Sequence, residues 1–210
     1  MKTKTLIASL IGVIALTAPL SIQAQILVNG GFEHPDALFG WSGTGNVVIA
    51  DQAAAALYLS LQPVEGAWLA VFNGGDTAPS GILRQSFQTI PGATYQLSYS
   101  VGRGGSGGGS IGILTQAAVG QGGGVLAEQT ISVGSLGWAP VATLEFTALT
   151  SDSVIHFWDV SSSTDGVDLV LDAVSVNLTA VPEPSEYALA AGVALVGFGA
   201  WRRRRQPLAP

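Results

Sequence analysis

Cysteine is absent from this 210-residue chain, and basic residues are scarce. Without cysteine, no disulfide or thiolate metal site can hold the fold, so a hydrophobic core or an oxygen-ligated metal must do so. Both lysines lie within the first four residues and four arginines lie at 202–205, which leaves Arg84 and Arg103 between residues 25 and 181. These two bases share that region with twelve acids, for a formal charge of −10. This charge argues against nucleic acid or anionic lipid as a partner of the region, because dense phosphate requires clustered cations.

Long helical patterns are also lacking, and the central region shows the two-residue alternation of half-buried strands. Residues 93–101 are the clearest example, because Tyr95, Leu97, Tyr99 and Val101 alternate with polar side chains after a Pro–Gly turn. Further strands are predicted over Ile26–Val28, Val47–Ala50, Leu57–Leu61, Trp68–Phe72, Leu83–Thr89, Ala142–Thr147, Val154–Val160 and Leu169–Leu178. The sequence therefore predicts an all-β domain over residues 25–180, built as an antiparallel β-sandwich.

A glycine-rich stretch over residues 102–124 interrupts this pattern. It contains matches to G-x-S-x-G and G-x-G-x-x-G, two motifs that carry chemistry only when a helix follows them. No helical pattern follows either match. We therefore interpret the stretch as a flexible loop, with Ile111–Leu114 as the one candidate for a short strand inside it.

Residues 1–24 have the three-part pattern of a secretory signal peptide, whose apolar part forms a helix. Lys2 and Lys4 form a positive start, Leu6–Leu16 is apolar, and Ala24 ends an acceptable cleavage site. We expect cleavage after Ala24. An uncleaved N-terminal anchor is the alternative interpretation.

The C-terminal segment, residues 181–205, also has three parts, followed by a short tail over residues 206–210. A proline-containing motif stiffens the chain, an apolar stretch over 187–201 is predicted to form a transmembrane helix, and a basic cluster resists translocation. The motif is Val181, Pro182, Glu183, Pro184 and Ser185, and the cluster is Arg202, Arg203, Arg204 and Arg205. The apolar stretch covers about 23 Å of a hydrocarbon core about 30 Å thick, which favours a temporary anchor. A buried core helix followed by a basic tail is the alternative.

This tail resembles the PEP-CTERM sorting signal of Gram-negative bacteria, whose members are substrates of an exosortase. The resemblance implies export, transient anchoring in the inner membrane, and processing that leaves the protein at the cell surface or in the extracellular matrix. Glu186 and the residues after the arginines depart from the usual pattern.

The domain itself opens with Asn29-Gly30-Gly31-Phe32-Glu33 and closes with the strand Leu171–Val176, with Gln85–Phe87 and Tyr95–Tyr99 between them. This order resembles the galactose-binding-like jelly rolls, which include several carbohydrate-binding modules, and the resemblance spans residues 26–178. It implies a jelly-roll sandwich. It also implies a structural Ca²⁺ held by Glu33 and Asp172, although Ala173 stands where the family often has a second Asp or Asn.

The residues themselves suggest the same pair of acids. By alternation, Asp172 shares the core-facing side of the last strand with Val170, Val174 and Val176, where an ionised carboxylate is costly unless it is paired or bound to metal. Glu33 could meet it across neighbouring strands, and carboxylate oxygens suit Ca²⁺. The alternative is a solvated acid at the rim with water or backbone partners.

Sugar binding requires flat apolar surfaces beside polar groups. Trp68 and Trp138 lie near turns and are the expected platforms, with Arg103 as a polar partner. Trp41 and Trp158 are further candidates, and packing in the core is the alternative for each of the four tryptophans. His156 lies within a predicted strand and is expected to be structural.

Together these observations favour an exported protein that binds polysaccharide without catalysis, in connection with exopolysaccharide or biofilm. The alternatives are a structural surface protein without a specific ligand and a secreted hydrolase. The sequence offers no histidine cluster and no nucleophile paired with a base, so no catalytic residue is assigned.

Overall fold

The computed structural model describes residues 26–74, 79–120, 123–181, 192–198 and 201. These residues form two antiparallel sheets packed face to face, which confirms the β-sandwich prediction. The strands are β1 Ser42–Thr44, β2 Val47–Asp51, β3 Trp68–Phe72, β4 Ile82–Gln88, β5 Thr94–Gly105, β6 Ile111–Val119, β7 Val125–Val133, β8 Gly137–Trp138, β9 Ala142–Thr147, β10 Asp152–Asp159 and β11 Val167–Ala180. One sheet has the order β1-β4-β10-β6-β7, and the other has the order β2-β3-β11-β5-β8, with β9 also paired to β5.

The core between the sheets is built from alternate residues of each strand, as the two-residue period requires. Leu83, Ile113, Ile155 and Phe157 of the five-stranded sheet point into it, and they are buried against residues of the other sheet. Tyr99 crosses the interface, because its hydroxyl accepts hydrogen bonds from Thr115 and Gln129 on the opposite sheet at 2.8 and 2.7 Å. The hydroxyl of this fully buried tyrosine thus has hydrogen-bond partners within the apolar interior.

A second, smaller cluster covers part of the outer face of the six-stranded sheet. Its buried members are Ala55, Leu59, Leu61, Leu69, Val71 and Val170. The cover is a short helical segment, α1 Gln52–Ala54 and a π-helical turn over Ala55–Leu59, which begins where Asp51 Oδ1 accepts a hydrogen bond from Ala54 N–H at 2.7 Å. The predicted strand over Leu57–Leu61 is therefore wrong, because this N-cap and the alanine-rich run before it favour a helix.

The predicted strand at Ile26–Val28 is also absent from the described residues. The backbone of Val28 pairs instead with the side chain of Gln85, whose amide accepts from Val28 N–H at 2.7 Å and donates to Val28 C=O at 2.8 Å. Gln85 is buried on β4, so a side-chain amide replaces the neighbouring strand as the partner of this segment.

The glycine-rich stretch is not a flexible loop over its whole length. β5 runs on to Gly105 and β6 occupies Ile111–Val119, while β7, which the sequence analysis missed, follows at Val125–Val133. Gly102 lies in β5 where a side chain would run into Trp138 and Val170 at about 2.9 Å. Glycine is needed there for close packing, so a composition typical of loops hides two regular strands.

A bulge in β11 places Asp172 on the outer face of the six-stranded sheet, whereas the sequence predicted that it faces the core. The register of β11 against β5 shifts between Asp172 and Ser175, and Ala173 has a φ of 52° in the left-handed region. Val174 and Val176 belong to the main core, whereas Val170 belongs to the outer cluster. The prediction that Asp172 shares the core-facing side with Val174 is therefore wrong, because the extra residue of the bulge interrupts the alternation.

The predicted signal helix at 1–24, the Arg202–Arg205 cluster and the Pro182–Ser185 part of the sorting motif lie outside the described residues. Val181 directly follows β11 and is exposed. The predicted transmembrane helix is described only in part, with helical backbone at 192–198 and at Trp201. Among the residues that the structure describes, no helix has the length and apolarity needed to span a membrane.

Candidate functional site

A row of polar side chains crosses the outer face of the five-stranded sheet. The strand register places Ser42 beside Arg84, Arg84 beside His156, His156 beside Gln116, and Gln116 beside Glu128. These five residues, called the polar row below, occupy one position on each of the five strands. At the usual spacing of neighbouring strands the row is about 19 Å long.

The polar row faces outward because its neighbours in sequence face the core. On β4, Leu83 and Phe87 are buried in the core, so Arg84 and Ser86 point away from it. On β10, the same alternation buries Phe157 and turns His156 and Trp158 outward. The row is thus a direct product of the strand period and the register.

An aromatic surface adjoins the polar row. The rings of His156 and Trp158 are stacked, with centroids 4.6 Å apart and planes inclined by 7°. Trp158 lies in the next row of the same face, between Ile82 of β4 and Leu114 of β6. Both rings are half-buried, so the sheet supports them while part of their surface stays open to solvent.

A cleft of about 640 Å³ lies over this face. Its lining residues are Gly40, Trp41, Ser42, Arg84, Gln85, Ser86, Gly120, Val154 and His156. Gly120 lies at one end, where an added Cβ would overlap the carboxylate of Asp152 unless that side chain moved. The cleft is an open depression lined mainly by hydroxyl, amide, guanidinium and imidazole groups, with Trp41 and Val154 as its large apolar residues.

The charges of the cleft are few. Burial, and to a lesser degree the positive charge of Arg84, lowers the pKa of His156 below its usual value. The imidazole is therefore neutral at pH 7 and has one donor and one acceptor nitrogen. At the far end of the row, Gln116 Nε2 donates to Glu128 Oε2 at 2.7 Å.

The residues predicted from sequence to bind sugar lie elsewhere. Trp138 packs on the outer face of the six-stranded sheet and donates from its indole to Gln62 C=O at 2.8 Å. Trp68 is 38% exposed and lines a separate hollow of about 430 Å³ that also includes Gln62. Arg103 donates to the carbonyl oxygens of Gly134 and Gly107. Trp68 thus ends the 62–68 segment and Trp138 donates a hydrogen bond to its start, whereas Arg103 binds backbone carbonyl groups. None of the three lines the cleft.

Glu33 and Asp172, the predicted metal ligands, both hold the loop before β3. Glu33 Oε1 accepts from the N–H groups of Ala67 and Trp68, both at 2.8 Å. Asp172 Oδ2 accepts from Val64 N–H at 2.7 Å and from Glu65 N–H at 3.2 Å, and Oδ1 accepts from Ala173 N–H at 2.7 Å. The structure therefore brings the two acids to the same loop, where backbone donors point at their oxygens.

This donor set does not fit Ca²⁺, which takes six to eight oxygen ligands. Within the described ranges, no group of three or more His, Asp or Glu side chains is arranged to hold a metal. Burial raises the pKa of Asp172 to about 6, in spite of the three N–H groups that lower it, and the Glu65 carboxylate adds to the increase. A carboxylate in such surroundings is stabilised by loop amides, and the calcium site stays a prediction that these residues do not favour.

The sequence suggested no binding role for Arg84 or His156, and it offered Trp158 only as one of four candidate tryptophans, behind Trp68 and Trp138. The available signal was the i, i+2 spacing of His156 and Trp158 within a predicted strand, which puts two rings on one face. The pairing of β10 with β4, which brings Arg84 to the same row, depends on the register and is not readable from one strand.

Neither a protein-family model nor a curated protein sequence matches the chain. Among solved structures, the apo form of a cyclase from Fischerella sp. is similar with a TM-score of 0.54 and 16% identity, over 77% of this chain and 98% of that chain. The carbohydrate-binding module TmCBM61 in complex with β-1,4-galactotriose has a TM-score of 0.49 and 17% identity, over 74% and 99%. The N-terminal cellulose-binding domain of Cellulomonas fimi β-1,4-glucanase C has a TM-score of 0.45 and 16% identity, over 76% and 100%. At 16% identity, the likeness to the cyclase is one of fold alone.

Proposed function

We propose that this protein binds polysaccharide in the cleft on its five-stranded sheet and that it does so without catalysis. The observation that carries the proposal is the polar row beside the stacked rings of His156 and Trp158. A row about 19 Å long fits an extended chain better than a small, enclosed ligand.

The chemistry of the cleft suits a sugar. A sugar ring has an apolar C–H face and a rim of hydroxyl groups. His156 lines the cleft and stacks on Trp158, so the aromatic surface begins at the edge of the cleft, beside groups that donate and accept hydrogen bonds. Neutral His156, Ser42 and Ser86 can each do both, because a hydroxyl and a neutral imidazole have donor and acceptor atoms. Recognition of hydroxyl groups then requires no metal in the cleft.

The absence of catalysis is part of the proposal. The nearest acids on this face are Asp152, in register with Gln88, and Glu128, at the end of the polar row. By the strand and residue spacings their backbones are about 16 Å apart. Glycoside hydrolysis typically uses two carboxyl groups about 5 to 9.5 Å apart across the scissile bond. These two acids are therefore poorly placed to act as a pair.

A glycan array tests the binding proposal. We expect the full-length protein, purified in a sugar-free detergent, to bind polysaccharide, and Trp158→Ala to bind it more weakly. Trp68→Ala and Trp138→Ala serve as matched controls, because each removes a tryptophan of the other sheet, away from the stacked rings of His156 and Trp158. Folded protein that binds no glycan would support the alternative of a structural surface protein. Loss of binding only in the Trp68 or Trp138 variant would move the site to the other sheet.

We propose further that the domain is exported and sorted through residues 181–205. The support is the sequence pattern of a proline motif, an apolar stretch and an arginine cluster, which resembles an exosortase signal. On this account the inner membrane is a transient anchor and the mature protein contributes to an exopolysaccharide matrix or biofilm. Mass spectrometry of the protein recovered from the cell surface should find the Arg202–Arg205 cluster removed. An intact cluster on the surface protein would contradict processing.

A further inference from the structure

The guanidinium of Arg84 is the feature of the cleft that the proposed function does not use. We propose that Arg84 makes the cleft selective for polysaccharides in which uronic acid units alternate with neutral sugars. This inference rests on the proposed glycan-binding function and names the class of glycan. The carboxylate of the uronic acid would pair with the guanidinium, while the neutral sugars lie along the rest of the polar row.

Arg84 has no partner within the described part of the chain. No hydrogen bond or ion pair to its guanidinium is present there, and its side chain is exposed in the wall of the cleft. Arg103 offers the contrast, because its guanidinium donates to the carbonyl oxygens of Gly134 and Gly107. Of the two arginines in the sandwich, one is therefore used inside the fold and the other points at the cleft.

The lack of a partner is unexpected in so acidic a domain. Residues 25–181 contain twelve acids and two bases, yet the one ion pair found among the described residues is His34 with Asp36 at 4.0 Å. The acids nearest to Arg84 on its own face are distant. Glu128 lies three strands away, about 14 Å, and Asp152 is level with Gln88, four residues along β4, about 13 Å. The domain thus leaves this cation available to an external anion.

A carboxylate fits this position better than a dense polyanion does. Guanidinium presents paired N–H groups that match the two oxygens of a carboxylate. The surrounding domain has a formal charge of −10, and Glu128 closes one end of the row, so a chain charged at every unit would be repelled. A carboxylate on every second sugar can reach Arg84 while its neutral neighbours meet Ser42 and neutral His156.

The test uses three hexasaccharides of equal length. The first alternates glucose and glucuronic acid, the second is the same chain with each carboxyl group reduced to a primary alcohol, and the third carries sulfate on those alcohols. For the full-length protein in sugar-free detergent, calorimetry should show about tenfold tighter binding of the first than of the second at low salt. Equal binding of the first and second, or equal or tighter binding of the third, would overturn the assignment.

Two variants locate the effect. Arg84→Gln should abolish the preference for the acidic hexasaccharide and leave the affinity for the reduced one within about twofold, whereas Arg103→Gln should keep the preference. A preference that survives in Arg84→Gln would overturn the role of Arg84. If neither the acidic nor the reduced hexasaccharide binds while other neutral glycans bind on the array, the carboxylate assignment fails but the glycan-binding function stands. If the array is also blank, the glycan-binding function itself fails.

Proton NMR of His156 detects the contact between Arg84 and a carboxylate without any substitution. The positive charge of Arg84 contributes to the low pKa of His156, so a carboxylate paired with the guanidinium should raise the pKa of the imidazole. The groups that face His156 from the adjacent strands are Arg84 and Gln116, and only the first is charged. Proton NMR titration should show this rise with the acidic hexasaccharide and none with the reduced one, while His34 serves as an internal control. No rise at saturation with the acidic chain would contradict the contact.

Discussion

His156 and Trp158 lie one behind the other on β10 with their rings parallel, 4.6 Å between centroids, on the outer face of the five-stranded sheet. Phe157 between them points the opposite way and is fully buried against Tyr99 and Trp41. One strand thus supplies both the anchor in the core and the aromatic surface outside. The orientation of that surface is fixed by the packing of the core behind it.

Removal of the indole at position 158 should weaken glycan binding and spare the fold. Trp158→Ala deletes a half-buried ring from the outer face, so we expect glycan affinity to fall about fivefold or more, because stacked aromatic surface contributes on the order of 1 kcal/mol. Trp138→Ala is the matched control and should keep wild-type affinity. Calorimetry with a bound glycan measures both. Equal losses in the two variants would argue against the cleft as the site.

Gln85 should contribute to stability through the N-terminal segment. Gln85→Ala removes the two hydrogen bonds that hold the Val28 backbone, and we expect it to lower the free energy of unfolding by about 2 kcal/mol. Gln88→Ala, on the same strand but exposed, is the control and should change stability by less than about 0.5 kcal/mol. Urea denaturation distinguishes the two. Similar small effects would show that the segment is not held by this amide.

Asp172 should make stability fall as pH rises through the acid range. Its folded-state pKa is raised to about 6 from 3.8, so the folded protein binds a proton more tightly than the unfolded chain. The stabilising effect is therefore complete below about pH 3.8 and is lost as pH rises through about 6. The difference corresponds to roughly 3 kcal/mol. Denaturation of wild type and Asp172→Asn between pH 3.5 and 7 should show the wild type losing stability relative to the variant. The reverse trend would mean that the loop amides outweigh burial.

A chelator should leave the melting temperature unchanged. Glu33 and Asp172 are held by backbone N–H groups of the 62–68 loop and its neighbours, so their positions do not depend on a bound cation. Thermal unfolding with excess EDTA and then with excess Ca²⁺ measures the effect. A drop of several degrees that Ca²⁺ restores would support the calcium site predicted from sequence.

Most strands could be predicted from the sequence, and their predicted ends lie close to the observed ones. Ala142–Thr147 agrees with β9, where buried and outward residues alternate regularly. Trp68–Phe72 agrees with β3, a short continuous apolar run in which every residue after Trp68 is buried. The errors fall where one residue breaks the period or the composition misleads. The bulge at Ala173 turns Asp172 away from the core, and glycines conceal the continuation of β5 and the start of β6.

The site was harder to predict because it belongs to no single strand. Arg84, His156 and Gln116 lie far apart in sequence and become neighbours only through the register of β4, β10 and β6. The pattern of each strand shows that these side chains face outward, but not which residue stands beside which. Trp68 and Trp138, the choices made from nearby turns, lie instead by the 62–68 loop.

The indole N–H signals of the tryptophans test the central claim in one spectrum. Trp41, Trp68, Trp138 and Trp158 occupy different surroundings, and Trp158 is the one that stacks on His156 beside the polar row. In a nitrogen-labelled sample, titration with a glycan that binds on the array should shift the Trp158 signal and leave those of Trp68 and Trp138 in place. A shift of the Trp68 or Trp138 signal with Trp158 unmoved would contradict binding in the cleft.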